Sequence, residues 1–413
     1  MGAVRHARGE LRESLVDFAA ARDLLGSASR RASRRCAYET TSSPRSAAPG
    51  RHPEVSVELA LHIGEKSSTI PSAGTNALNR LAELHVLADE LDLAEESFRG
   101  SLRIQRRMGD MHGAASSLVN LGAIARERGK YHQALQLANE AALIAEQAQD
   151  LGLKLTAQDA MVPGLTSLGR LGEALTLVKD VQSQSRAIGT NRVLASALLS
   201  ASDCLLLIGD LEAAREKSLN ALQMSREHGF AQLEWRALRL LCETEIEREN
   251  YVQARKYLVT ARTLQMSHEP RQKRDLDLLE LRVTACEAGS AGLSKKEVKS
   301  LLRLAALGTP PFRIRVAQLL AQSLPPEEAL LWIQLAYNQS KQLGHKDGIW
   351  RSAFRLSEVE RALGKPDAAS HRDEAIRTIL SVAAFLGESL KEVYLDSFGR
   401  REILKSARVQ KTG

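Results

Sequence analysis

The pattern of hydrophobic and polar positions along this chain predicts a series of helix pairs. In the clearest example, residues 113–128 place Leu118 and Leu121 at the spacing of one helix face, and a second helical run covers about residues 131–149. Gly129 separates the two runs, and glycine readily adopts the left-handed conformation that ends a helix. The pattern therefore predicts two antiparallel helices joined by a short turn.

This unit repeats every forty residues. One alanine follows each turn at the same distance; these alanines are Ala94, Ala134, Ala174, Ala214 and Ala254, with Ala329 and Ala369 again forty apart. Further small residues fall where paired helices would approach closely, namely Ala82, Gly122, Ser202 and Cys242 in the first helices and Ser101, Ala141, Ala221 and Ala261 in the second. We therefore expect an all-α, right-handed α-solenoid of about eight or nine stacked antiparallel helical hairpins.

The repeat weakens at both ends of the chain and after residue 270, which sets the expected boundaries. We expect a partial or capping repeat at 1–26, a disordered Ser/Arg/Pro-rich linker at 27–50, a helix of a damaged repeat at 51–70, a regular array at 71–270, irregular helical repeats at 271–323, further repeats at 324–386, and capping helices with a tail at 387–413. Ser294 and Glu297 are placed as a capping box.

One phrase resembles the first-helix signature of the tetratricopeptide repeat, namely Asp110-xx-Gly113-x-Ala115-xx-Leu118-x-Asn120-Leu121-Gly122. The resemblance covers residues 75–266 and 311–386 and is partial at 1–26 and 51–66. It implies a tetratricopeptide superhelix and, from the forty-residue step, the extended class found in bacterial multidomain signalling regulators. Pro163-Gly164 departs from the pattern and is expected to interrupt one first helix. HEAT-type repeats share the period and are the alternative fold, although the Gly-x-apolar-xx-Ala pattern at the turns argues against them.

Composition limits the partners and the location. The formal net charge of the 413-residue chain is +7; the middle of the chain is neutral or acidic and the carboxyl-terminal third is basic, and an excess this small does not indicate nucleic-acid binding by itself. The four cysteines are far apart, so a reduced, cytoplasmic protein is expected. No apolar run approaches the length of a membrane span, and no membrane association is expected.

The sequence lacks the phosphate-binding, dinucleotide-binding, zinc-protease, serine-hydrolase and kinase signatures. We therefore expect no enzyme activity, no cofactor and no metal. The expected function is a scaffold that binds a partner peptide or protein in the concave groove of the superhelix. A sensory or regulatory arm of a bacterial signalling or transcription-regulatory protein, associated with a kinase or ATPase, is one alternative. A nucleic-acid-binding helical repeat is the second, and the oligomeric state stays open.

In tetratricopeptide superhelices the first helices line the concave groove. The repeat register marks a set of candidate groove residues, which are Arg80, Asn120, Arg236, Arg239, Arg315, Arg351 and Arg355. Arginine presents a planar donor fork to carboxylate or phosphate, so an acidic peptide or a terminal carboxylate is the expected partner. In the alternative interpretation, Glu243 and Glu358 on the same face pair with these arginines. If the arginines face a ligand, changing Arg351 and Arg355 to glutamate should weaken binding without lowering the melting temperature.

Overall fold

A computed structural model describes residues 71–264, 269–289 and 292–409, and all regular structure in these ranges is helical. The first helices of the hairpins are α1 (Pro71–Leu87), α3 (Met111–Glu127), α5 (Leu151–Ser167), α7 (Asn191–Ile208), α9 (Ala231–Glu247), α11 (Pro270–Ala288), α13 (Pro310–Ser323) and α15 (Lys346–Ala362). The second helices are α2 (Leu91–Met108), α4 (Tyr131–Gln147), α6 (Leu171–Ile188), α8 (Leu211–Glu227), α10 (Tyr251–Thr263), α12 (Lys295–Ala305), α14 (Pro326–Leu343) and α16 (Ala368–Ala383). Two short helices follow, α17 (Glu388–Asp396) and α18 (Arg400–Val409).

The described residues form two compact units. The first contains residues 71–86 and 90–110, and in it the Ser101 hydroxyl donates a hydrogen bond to the Thr75 carbonyl oxygen (3.4 Å). The second contains Leu87–Asp89 and the chain from Met111 onward. The boundaries expected at 26, 50 and 70 lie outside the described residues.

In the second unit, consecutive helices from α3 onward pack as antiparallel hairpins. The first helices also contact one another in series, α3 with α5, α5 with α7, and so on to α13 with α15. Each hairpin therefore buries its apolar stripe against its neighbours, as a repeat architecture requires. The expected all-α solenoid of stacked hairpins is confirmed.

The five alanines that follow the turns at the same distance are all buried. The exposed fraction is 0% for Ala94, Ala174, Ala214 and Ala254, and 4% for Ala134. The residues predicted at close helix approaches are also buried, including Ser202, whose hydroxyl donates to the Ala214 carbonyl oxygen (2.8 Å). Small side chains thus stand where two helix backbones nearly touch.

One repeat departs from the common pattern, and one expectation about an individual repeat is wrong. Ala369 is exposed, and α16 begins only at Ala368, two residues after Pro366. The helix expected to be interrupted at Pro163, α5, is continuous through it, and the Ser167 hydroxyl in its last turn donates to the Pro163 carbonyl (2.9 Å). A Cβ at Gly164 would lie 3.0 Å from the side chain of Leu135 of α4.

The glycine turns end the first helices as the sequence predicts. Gly129 has φ +75°, the Gly129 N–H donates to the Arg126 carbonyl (2.9 Å), and the Lys130 N–H donates to the Ala125 carbonyl (2.8 Å). These two bonds form a Schellman motif, which satisfies carbonyl groups that the helix end leaves without partners. The Ser294–Glu297 capping box at the start of α12 is also present.

The carboxyl-terminal helices pack against the hinges of three consecutive hairpins. A Cβ added at Gly129 would lie 2.7 Å from Leu343, one at Gly169 would lie 2.8 Å from Val382, and one at Gly209 would lie 2.2 Å from the Cβ of Ser397. Apolar residues of α15 to α18 join one buried cluster with residues of α5 to α8; the carboxyl-terminal members include Trp350, Ile379, Val382, Tyr394 and Ile403. The chain therefore returns to its own middle hairpins.

Candidate partner-binding face

The first helices α3 to α15 carry six of the seven candidate groove residues, and we call the face that the repeat register assigns to them the inner face. It is defined by Asn120, Asp159, Ser200, Asp203, Arg236, Arg239, Glu243, Asp275, Arg315, Asp347, Arg351 and Arg355. Side chains on this face connect neighbouring first helices, because Arg236 of α9 binds Asp203 of α7 and Arg315 of α13 binds Asp275 of α11 (both 2.8 Å). Arg80 is exposed on α1 and belongs to the first unit.

The five arginines of the inner face all have carboxylate partners on the first helices. Besides the Arg236 and Arg315 pairs, Arg239 lies 2.7 Å from Glu243, Arg351 lies 2.9 Å from Asp347, and Arg355 lies 3.3 Å from Glu358. The alternative interpretation, in which Glu243 and Glu358 pair with the arginines, therefore describes these contacts. Sequence reasoning missed three acidic partners, Asp203, Asp275 and Asp347. The repeat register contained a signal for one of them, since Asp275 and Arg315 are forty residues apart.

Burial changes the electrostatics of the centre of this face. Burial lowers the pKa of Arg239, but the carboxylates of Glu243, Asp203 and Asp275 together outweigh that effect and raise it. The Arg239 guanidinium is therefore firmly charged and is held by carboxylates from three successive first helices. A chain of alternating charges of this kind fixes the relative position of α7, α9 and α11.

Two polar side chains of the inner face retain hydrogen-bonding capacity that the chain does not use. Asp159 is 7% exposed; its Oδ2 accepts from the Ser196 hydroxyl (2.5 Å), while its Oδ1 is buried without a partner among the described residues. Burial raises the pKa of Asp159. Asn120 is half-buried on α3, and its amide makes no hydrogen bond within the described chain. Asn120 is therefore accessible to an external partner, whereas Oδ1 of Asp159 is enclosed by the chain itself.

Ion pairs also connect α11 to the end of α3 and to Asp89. Glu127, the last residue of α3, lies 2.5 Å from Arg271 of α11 and 2.6 Å from its neighbour Arg126. Burial opposes ionisation of Glu127, yet the nearby arginines lower its pKa to about 2. Arg274 of α11 similarly binds Asp89, 2.5 Å away. These contacts join hairpins that are far apart in the chain.

The described residues contain no group of three His, Cys, Asp or Glu side chains that could hold a metal ion. One described helix, α7, is long and apolar enough to cross a membrane by length and composition, with 61% of it buried inside the array. The sequence contains no uninterrupted apolar run of this length because Ser200, Ser202 and Asp203 lie within the helix. A core helix of a repeat array has the same composition.

Comparison with known proteins agrees with this architecture. A family model of the tetratricopeptide repeat matches residues 75–147. The Rap conjugation gene regulator of the plasmid pLS20, solved in complex with the Phr* peptide, is similar with a TM-score of 0.55 at 12% identity, over 81% of this chain and 98% of that one. No curated protein matches the chain.

Two other solved structures are similar at lower scores. A Rap protein complexed with competence and sporulation factor has a TM-score of 0.47 at 15% identity, over 86% of this chain and 99% of that one. The apo form of RapI has a TM-score of 0.44 at 14% identity, over 70% of this chain and 98% of that one.

Proposed function

We propose that this chain, a tetratricopeptide-repeat protein, is a non-enzymatic scaffold that binds an extended polypeptide segment of a partner along its inner face. Stacked hairpins support this function physically, because a preformed surface loses little conformational entropy when it binds. The fold is also the one of a regulator solved with a bound peptide, although at 12% identity this likeness concerns the fold alone.

The observation that carries the proposal is the partly exposed side-chain amide of Asn120, which makes no hydrogen bond within the described chain. A polypeptide backbone offers one N–H donor and one carbonyl acceptor per residue. The side-chain amide of Asn120 can accept from the first and donate to the second. An extended segment crossing α3 would satisfy this amide.

The charge of the partner is a separate question. The expected preference for an acidic partner rests on a row of free guanidinium groups, whereas Arg236, Arg239 and Arg351 each contact a carboxylate within 2.9 Å. We therefore propose that the partner is recognised chiefly through backbone hydrogen bonds and needs no strong negative charge.

The experiment is selection of peptides from a display library on the full chain, followed by calorimetric titration of the best binder. Asn120→Ala should weaken binding about five- to tenfold, the loss expected for one hydrogen bond in a desolvated site. Asn139→Ala is the matched control, since Asn139 is an exposed asparagine on α4. Equal affinities of the two variants, or the absence of any selected peptide, would argue against the inner face as a binding site.

The regulatory-arm interpretation stays a proposal alongside this one, because the similar Rap protein is described as a conjugation gene regulator. Affinity capture by the full chain distinguishes the two. A regulatory arm should retain a kinase, an ATPase or a DNA-binding protein, whereas a general scaffold should retain proteins that share only a peptide motif. Nucleic-acid binding would instead show as retention on a polyanion that falls steeply with salt.

A further inference from the structure

Arg400 is an unusual residue in this fold, because its side chain is completely buried. Its guanidinium donates hydrogen bonds to the carbonyl oxygens of Leu207 (2.7 Å) and Ile208 (3.2 Å), the last residues of α7, and to that of Tyr394 (2.7 Å). The last carbonyls of a helix have no partner within the helix and carry its negative dipole end. Arg400 therefore caps α7 from nearly two hundred residues further along the chain.

Aromatic rings complete the surroundings of this guanidinium. Its carbon lies 3.8 Å from the ring centroid of Tyr394, 4.8 Å from that of Phe398 and 5.0 Å from that of Trp350. Rings at these distances attract a cation through their negative faces. No carboxylate in the described part of the chain lies within ion-pair distance of Arg400, in contrast to the arginines of the inner face. The site thus recognises a guanidinium through carbonyl groups and rings.

The turn that delivers Arg400 is held in an unfavourable conformation. Phe398 has φ +57°, a left-handed value that is costly for a large side chain. Ser397 fits only because Gly209 lacks a side chain. The ring of Phe398 lies 4.7 Å from the guanidinium of Arg351, which is in turn 4.8 Å from Trp350. The docked turn therefore covers Arg351, one of the inner-face residues.

We propose that the end of α7 and the ring of Trp350 form a guanidinium receptor whose resident ligand is Arg400 of the same chain. The turn Ser397–Arg400 and α18 form a clamp, which docks through this receptor and opens as a local unit. A fully desolvated guanidinium with no carboxylate at ion-pair distance and a strained Phe398 both oppose docking and favour opening of the clamp. Opening uncovers Arg351 and leaves a site for an arginine side chain of a partner. This inference does not depend on peptide binding to the inner face.

The test is chemical rescue of the full chain followed by hydrogen-exchange mass spectrometry. Arg400→Ala removes the resident ligand, and amide exchange should become about tenfold faster or more at the end of α7 and in α17–α18, because charged hydrogen bonds to carbonyls are lost. Exchange in α9 to α12 should stay unchanged. Millimolar ethylguanidinium should restore much of the protection, whereas equal methylammonium, which lacks the planar fork, should not.

Arg401→Ala is the matched control, since Arg401 is half-exposed and pairs with Glu392 and Asp396. It should give neither faster exchange at α7 nor a response to ethylguanidinium. If Arg400→Ala fails to fold, Arg400→Lys retains the charge and should still show the local increase in exchange. Faster exchange spread evenly over all helices, or equal rescue by methylammonium, would show that Arg400 is an ordinary core residue and would overturn the proposal.

Discussion

Replacing Gly169 by alanine should cost more stability than replacing Gly189, although the two glycines share one backbone conformation. The φ angle is +75° at Gly169 and +73° at Gly189, so the left-handed strain added by a Cβ is about 1 kcal/mol at each. At Gly169 the Cβ would also lie 2.8 Å from Lys346 Cγ and from Val382 Cγ2, whereas at Gly189 nothing lies within 4 Å. The difference between the variants isolates the contact with the carboxyl-terminal helices.

The size of that difference follows from which atoms can move. Lys346 can shift its flexible side chain, but Val382 is β-branched, 4% exposed and part of the buried cluster that α16 shares with α5 to α8. Overpacking a filled core costs about 1–3 kcal/mol. The expected loss of unfolding free energy is therefore about 1 kcal/mol for Gly189→Ala and about 2–4 kcal/mol for Gly169→Ala.

Urea unfolding followed by circular dichroism measures both losses. Hydrogen exchange then locates them, and Gly169→Ala should accelerate exchange at the start of α15 and the end of α16, which Gly189→Ala should leave unchanged. Equal free-energy losses, or faster exchange confined to α5 and α6, would show that the carboxyl-terminal helices do not press on this hinge.

Two further predictions concern pH and the paired arginines. His345 accepts a hydrogen bond from the Gly348 N–H (2.9 Å), and burial, opposed by Asp347 and reinforced by Arg315, lowers its pKa below 6.5. The unfolded chain therefore binds the proton more readily than the folded chain, and stability falls as pH drops below 6.5. The variant His345→Asn keeps a capping acceptor and should lose less stability over this range. Melting curves at pH 7 and pH 5 measure the difference. Arg355→Glu should lower stability by about 1–3 kcal/mol, because Arg355 also donates to the Ala321 carbonyl (3.2 Å); an unchanged melting temperature would contradict its role in joining α13 and α15.

The last prediction changes which variants can report on binding. The sequence alone presents Arg351 and Arg355 as solvent-facing groove residues, whose replacement leaves stability intact. In the structure, Arg351 lies between Trp350 and Phe398 and binds Asp347. A change at either arginine therefore alters packing as well as any contact with a partner, and Asn120 is the cleaner probe of the inner face.

Local and repeated features could be predicted from the sequence. The hinge at Gly129, the buried Ala174 and the capping box at Ser294 each depend on a few neighbouring residues, and the forty-residue period shows the first two several times over. The position of Asn120 and Arg236 on first helices follows from the same register. Properties that one hairpin already contains, or that two adjacent hairpins share, are therefore accessible without coordinates.

Contacts across many repeats could not be predicted in this way. Arg400 reaches the carbonyls of Leu207 and Ile208, and Arg274 reaches Asp89, across nearly two hundred residues. Which hairpins meet depends on the sum of small rotations between successive repeats, and no short pattern in the sequence records that sum. The guanidinium receptor and the connection between α3 and α11 were missed for this reason.

The residues at the turns combine a local requirement of the hairpin with a packing requirement set by distant helices. Left-handed conformation alone does not require glycine in this chain, because Asp89 and Glu249 adopt φ +66° and +59° at equivalent turns. Gly169 and Gly209 differ in that a Cβ would overlap the carboxyl-terminal helices. At these two positions glycine serves the turn and the docking surface together. The repeated glycines of the sequence pattern therefore also mark the edge against which the carboxyl-terminal helices pack, which a repeat signature read one hairpin at a time does not reveal.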